Sequence, residues 1–375
     1  MKRCRLDKIA SVTLRLSLDA NAVLGEDIPA VAGTVLACRV MNAKTTYNAL
    51  EDVHGRMVTL HPGDIIAGAL GHRDALYGYA GRVPESVRCG DELQLLNLGG
   101  VIGTGAEGTI AQGAPFRLEV LGAVLEFPYL GTRVGVPANV ARAALPRPEL
   151  PPADALPPIV VFVGTCMDAG KTTAAAMLIG EMTRRGLRVA AGKLTGVSLR
   201  RDVLQMRDSG ADPVAIFTDF GVVTTSEDTA VGAARALVAH LAEAEPDVLV
   251  LEMGDGLLGT YGVGAILGDA SLKAAIRTTI LCAQDPVGAW GARELLRDRW
   301  RLPVDVVAGR VTDGPTGVRF CRETLGVPAC NALRDGAALA DIVMSTLSPA
   351  PAAQVDSSAS PAGADSAALA RAVGQ

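Results

Sequence analysis

The stretch GTCMDAGKTT, Gly164 to Thr173, sets a glycine-bearing loop ahead of Lys171 and two threonine hydroxyls. That order suits one chemistry above others, the grip on a nucleotide's phosphates. It follows the apolar run IVVFVG and opens onto the helix-like KTTAAAMLIGEMTRRG. In such a setting the loop amides and the helix N-terminus supply partial positive charge, Lys171 a full one, and Thr172 a hydroxyl for Mg²⁺. Gly164, Thr165, Asp168, Ala169, Gly170, Lys171, Thr172 and Thr173 are the candidate nucleotide-binding residues. The strict phosphate-loop pattern has glycine five residues before Gly170, where this chain has Thr165, so the loop is a variant. Cys166 lies inside it with no histidine nearby in sequence, and reads as a small residue filling a tight loop rather than a nucleophile.

A magnesium ion also needs a carboxylate. The run DVLVLEMGDG ends on Glu252. An acid there is costly unless it opens at the carboxyl edge of a sheet, where α/β folds bind ligands. Asp255 adds a second negative charge three residues on, suited to an amino group, a second metal or a tight turn. The glycine-rich GLLGTYGVGAIL that follows reads as a mobile substrate loop with Tyr261 as a contact.

Taken in order, these residues resemble the dethiobiotin synthetase-like branch of phosphate-loop enzymes, over roughly residues 159–335. The shared features are GT, four residues and GKT from Gly164; AGKLTG around Lys193 for a GYKP-like strand end; and LEMGDG from Leu251 for a VEGAGG-like loop. The resemblance implies an α/β fold with a mostly parallel sheet, Mg²⁺ and ATP as cofactors, and transfer of the terminal phosphoryl group to a carboxylate or carbamate of a small, amine-bearing metabolite. It implies Lys171 on the β/γ phosphates, Thr172, Asp202 and Glu252 on the metal, and Lys193 toward substrate and the transferred phosphoryl group; Thr195, Asp255 and Tyr261 are further substrate candidates, Asp255 standing where the family's loop has Gly. Lys171, Lys193 and Glu252 are the catalytic candidates. Asp208 competes with Asp202 for the second metal carboxylate. The family's adenine-contacting asparagine is Asp313 here, in AGRVTDGP. Aspartate accepts from guanine N1 and N2, so GTP is the open alternative to ATP. The loop lacks the early lysine of ParA/MinD-type ATPases, and no NKxD signature is present. The competing reading is a nucleotide-hydrolysing switch or metallochaperone-like protein acting on a protein partner. The family also implies a homodimer.

These residues must be held by a sheet. After residue 158 the apolar runs IVVFVG, RVAAGKL, DVLVLEMG, TTILCAQ and VDVVAGRV alternate with helix-like stretches, the texture of a parallel sheet covered on both faces. The proline-rich segment 141–158 reads as a linker. Ahead of it, in residues 1–140, short apolar segments alternate with Gly, Pro and Asp turn signals and read as a smaller, mainly β domain, economically a closed barrel. HPGDIIAGAL and RCGDELQLLNL repeat a Gly-Asp turn feeding a strand. The alternation of Val12, Leu14, Leu16 and Leu18 reads as a further strand. Residues 347–375, rich in Ala, Ser and Pro, read as a disordered tail.

Composition narrows the partners. The 375 residues are 49% hydrophobic and 20% charged, with only 3% aromatics, so the cores must rest on Val, Leu, Ile and Ala. A net charge of −5 gives no basic surplus for nucleic acid or an anionic membrane. Seven scattered cysteines with no CxxC pair suit reduced thiols in a cytoplasmic setting. His61 and His72 lack companions for a metal site.

Overall fold

The computed structural model describes residues 1–347 apart from 130 and 132; the expected tail, from residue 348 on, lies outside the described residues. The second half is a six-stranded sheet in the order Val214–Ile216, Val189–Thr195, Val248–Met253, Ile159–Gly164, Ile276–Cys282, Val306–Ala308. Every neighbouring pair is parallel. Its inner strands are buried along nearly their whole length because both faces are covered. Successive residues of Ile159–Gly164 alternate between two cores: Ile159, Val161 and Val163 pack with Leu237, Leu241 and Ala289, while Val160 and Phe162 pack with Leu178, Met182 and Leu339. Lys171–Arg184 and Gly336–Leu347 thus cover one face, and Glu227–Ala242 and Pro286–Leu295 the other. No helix among the described residues is long and apolar enough to cross a membrane.

The first half is built on a closed ring of five strands. Arg117–Glu126 pairs with Val35–Val40, which pairs with Ile65–Leu70, then Val101–Gly108, then Glu92–Leu95, which returns to Arg117–Glu126. Closure leaves these strands without a free edge. The repeated Gly-Asp turn is the same device twice. Gly63 and Gly90 take φ of 93° and 90°, and Asp64 and Asp91 accept from the backbone amides of His61 (2.6 Å) and Arg88 (2.8 Å). Left-handed φ is what glycine supplies cheaply, and the carboxylate closes the turn.

One expectation is corrected. The alternating segment after Ala10 is not a strand but a 3₁₀ helix, Ser11–Leu16. Thr13 donates its hydroxyl back to the Ala10 carbonyl at 2.8 Å, and Ser17 ends the turn at φ 49°. A local side-chain bond of this kind competes with sheet pairing.

Candidate functional site

The phosphate loop joins the central strand Ile159–Gly164 to the helix Lys171–Arg184. Asp168 and Gly170 take positive φ, 56° and 95°, which turns the chain sharply into the helix. Lys171 is buried and folds back over Gly164, where a Cβ would lie 2.8 Å from its Nζ. Its ammonium donates to the carbonyls of Cys166 (2.8 Å) and Asp255 (2.6 Å). Gly256 allows the turn after Glu252 to close against the loop, since a Cβ there would sit 2.4 Å from the Thr165 carbonyl oxygen. The Leu257 amide then bonds the Gly164 carbonyl at 3.0 Å.

Glu252 and Lys193 are partners in register on adjacent strands. Glu252 Oε1 accepts from the Thr172 hydroxyl at 3.0 Å, while Oε2 is buried with no hydrogen-bond partner. Burial, reinforced by the neighbouring Asp202 carboxylate, holds the Glu252 carboxyl above its usual range. Lys193 is ion-paired with Asp202 from the helix Arg201–Asp208. Burial would lower the lysine's pKa, but the Asp202 and Glu252 carboxylates outweigh it and raise it. The same ammonium holds Asp202 below the carboxylate range against the effect of burial. Asp208 is exposed at the far end of that helix, so Asp202 is the acid brought to the site.

Thr172, Glu252 and Asp202 form a hard-oxygen set that fits Mg²⁺: the orphaned Oε2 is an acceptor waiting for a cation, and phosphate and water would complete the coordination. Among the described residues no three His, Cys, Asp or Glu side chains converge as an all-protein metal site.

All of this opens into a cavity of about 870 Å³, within the range of small-molecule sites. Asp168, Gly170, Lys171, Thr172, Thr173, Lys193, Asp202, Glu252, Asp255, Tyr261 and Asp313 line it. Thr165 lies in an adjoining recess with Cys166 and Gln284. Thr195 does not reach the cavity: it is fully buried and its hydroxyl donates to the Gly254 carbonyl at 3.0 Å, so it fastens two strand ends. Ala169 is buried and pairs through its carbonyl with the Arg310 amide. Burial holds the Asp255 carboxyl above its usual range, against the pull of Lys171. Tyr261 is not on a free flap. It is 3% exposed, its hydroxyl accepts from the Asp74 amide at 3.1 Å, and its carbonyl accepts from Thr225 at 2.8 Å. Burial pushes its phenol up to about 12.

Sequence reasoning missed the opposite wall. Tyr47, Arg73, Tyr77, Asn97 and Gln112 of the β domain line the same cavity, and Asn331 stands beside Asp313, donating to it at 2.9 Å. The β domain is fastened to the site by Glu51, which is wholly buried. Its carboxylate accepts from the Ser11 hydroxyl and from the amides of Arg200 (2.8 Å) and Arg201 (2.6 Å), at the start of the helix that carries Asp202. Asn97 adds a bond to the Ser198 carbonyl at 2.7 Å.

No family model matches the chain, and no curated protein does. Among solved structures it is similar to a DUF1611 family protein from Anabaena variabilis, at 19% identity and TM-score 0.38 over 53% of this chain and 63% of that one. It is also similar to the signal recognition particle receptor FtsY from Elizabethkingia anophelis (16%, 0.36, 51% and 66%). A third is the signal recognition particle 54 kDa protein from Aeropyrum pernix in complex with GDP (18%, 0.35, 51% and 48%). The chain spans less than two thirds of each of these three. The dethiobiotin synthetase-like branch stays a resemblance of motifs. The phosphate-loop nucleotide-binding fold rests on this chain's own strand, loop, helix and parallel sheet.

Proposed function

We propose that the protein uses Mg-ATP to activate a carboxylate or carbamate of a small, amine-bearing metabolite by phosphoryl transfer, as a ligase or phosphotransferase. The observation that carries this reading is the single cavity into which Lys171, Lys193, Asp202 and Glu252 all open, walled on the far side by the chain's own β domain. A small molecule enclosed there meets the phosphate loop directly.

Phosphoryl transfer asks a protein mainly for positioning and charge neutralisation. Lys171 would leave its two carbonyl partners for the β/γ phosphates. Lys193, kept protonated by Asp202 and Glu252, would face the transferred group from the neighbouring strand. Bound through Thr172, Glu252 and Asp202, Mg²⁺ would neutralise charge on the phosphate oxygens. A carboxylate oxygen of the metabolite attacks the γ-phosphorus, the bond to the bridging oxygen breaks, and ADP leaves. An amine then displaces phosphate from the acyl phosphate. Asp255 would accept from an amino group of the metabolite. Asp313 and Asn331 would meet the base; ATP is favoured on the resemblance, and GTP is the alternative.

Hydroxylamine traps acyl phosphates as hydroxamates. Incubating the protein with Mg-ATP, hydroxylamine and pools of amino- and carboxyl-bearing metabolites should give a hydroxamate in one pool, and none when Lys193→Ala replaces the native protein. No hydroxamate from any pool would count against the reading and return attention to a nucleotide switch.

A further inference from the structure

The cavity's far wall holds a cation that the reaction above leaves unused. Arg73, from the β domain, is 8% exposed and lines the cavity, yet no carboxylate among the described residues lies within ion-pair distance of it. A buried guanidinium is costly without an anionic partner. Its donors are only partly used, and by neutral acceptors: Nη1 donates to the Tyr47 hydroxyl (3.1 Å) and the Leu96 carbonyl, and Nη2 to the Tyr77 carbonyl (3.1 Å). Among the described residues nothing accepts from Nε or from the second Nη2 hydrogen.

The surroundings fix this group, and Asp255, whose carboxyl feels the guanidinium's charge across the cavity, does not come within ion-pair distance of it. The Tyr47 ring lies 5.9 Å from the guanidinium carbon. A Cβ on Gly78 would fall 2.2 Å from Nη2, so the glycine leaves room for the fork. The Arg73 backbone is locked by paired bonds with Gly81, at 2.8 and 2.7 Å. A rigid planar fork with donors to spare is the arrangement that recognises a carboxylate.

We infer that Arg73 is the β domain's contribution to substrate recognition, holding an oxyanion, most simply a carboxylate, of the metabolite whose other end meets the phosphate loop. The inference rests on the proposed small-molecule reading of the cavity. It gives the β domain a task in that site, and it excludes neutral or purely cationic metabolites as substrates. The γ-phosphate of the nucleotide is the other source of an oxyanion, and the test separates the two.

Full-length protein saturated with a non-hydrolysable Mg-ATP analogue would be screened calorimetrically against matched probes: aliphatic mono- and dicarboxylates, amino carboxylates, and diamines of equal length. The native protein should bind carboxylate-bearing probes and no diamine. Arg73→Gln should weaken the best carboxylate at least tenfold, Arg73→Lys less, and both should bind the ATP analogue within about twofold of native. Binding of diamines alone, no binding of any carboxylate, or a native-like affinity in Arg73→Gln would overturn the inference. So would an equal loss of ATP-analogue affinity, which would put the guanidinium on the nucleotide. Lys171→Ala, in the same assay, tests the nucleotide site separately: retained binding there sinks the phosphate-loop reading, whatever Arg73 does.

Discussion

Lys193 carries the sharpest claim among single residues, because its ammonium is ion-paired with Asp202 and stands in the field of the register partner Glu252. Lys193→Ala should reduce phosphoryl transfer by about 10²-fold or more, the usual cost of removing a preorganised charge at the reacting group. Nucleotide affinity should stay within a few-fold. Asp202 would lose its buried partner, so a stability loss of about 3 kcal/mol or less should accompany it, limited because Asp202 faces the cavity. Single-turnover kinetics beside equilibrium binding separate the two effects; equal losses in both would remove Lys193 from the transfer step. The lysine and the acid were legible as residue types at strand ends. Their pairing was not, because sequence spacing cannot say which strand lies beside which.

Among elements, the helix Arg201–Asp208 shows how one half of the chain sets the other's geometry. It has no side-chain cap of its own, and the amides at its start are taken by Glu51 from the β domain. Glu51→Ala leaves two amides and the Ser11 hydroxyl without their acceptor, and should cost about 1–3 kcal/mol in denaturant unfolding. Rescue by Asp would be poor, since the carboxylate would fall short by one methylene. An unchanged midpoint would show that water replaces the carboxylate freely. The Gly-Asp turn of the barrel gives a pH test. Burial of Asp64 opposes ionisation, but the Lys8 ion pair and the His61 amide prevail and hold its carboxyl below the usual range. Its stabilisation is therefore full above the ordinary carboxylate range and lost as pH falls through the lower, folded value. The difference in unfolding free energy between native and Asp64→Asn should be present at pH 6 and vanish at strongly acidic pH. A difference that persists there would assign the effect to the hydrogen bonds rather than to charge. Both Gly-Asp turns could be read in advance because their cause is local, whereas Ser11–Leu16 could not: alternating apolar residues matched a strand until a threonine hydroxyl and a left-handed serine closed a 3₁₀ turn.

For the whole molecule, the site lies between two structural halves, and this is why only half of it was legible. The phosphate loop is contiguous, so Gly164 to Thr173 announced itself; Tyr47, Arg73 with Tyr77, and Gln112 come from three separate segments of a barrel with no motif of their own. Their only local signal is the glycine and aromatic clustering in ALYGY, ahead of Gly81. The packing of these halves also predicts thiol behaviour. Cys38, Cys282, Cys321 and Cys330 are buried and Cys89 is exposed; burial raises the thiol of Cys38, and pushes those of Cys282 and Cys330 up to about 12 and about 11. A water-soluble thiol reagent should therefore modify Cys89 in the native protein and leave those four unreacted until denaturant is added, a result that mass mapping reads directly. The central claim, that a metabolite enclosed between the halves receives the terminal phosphate, is tested most directly by phosphate release. Native protein would be given Mg-ATP or Mg-GTP with successive pools of amino- and carboxyl-bearing metabolites. Fast release in one pool and near silence in the rest are expected; the same slow rate with every pool and without any metabolite would overturn the claim.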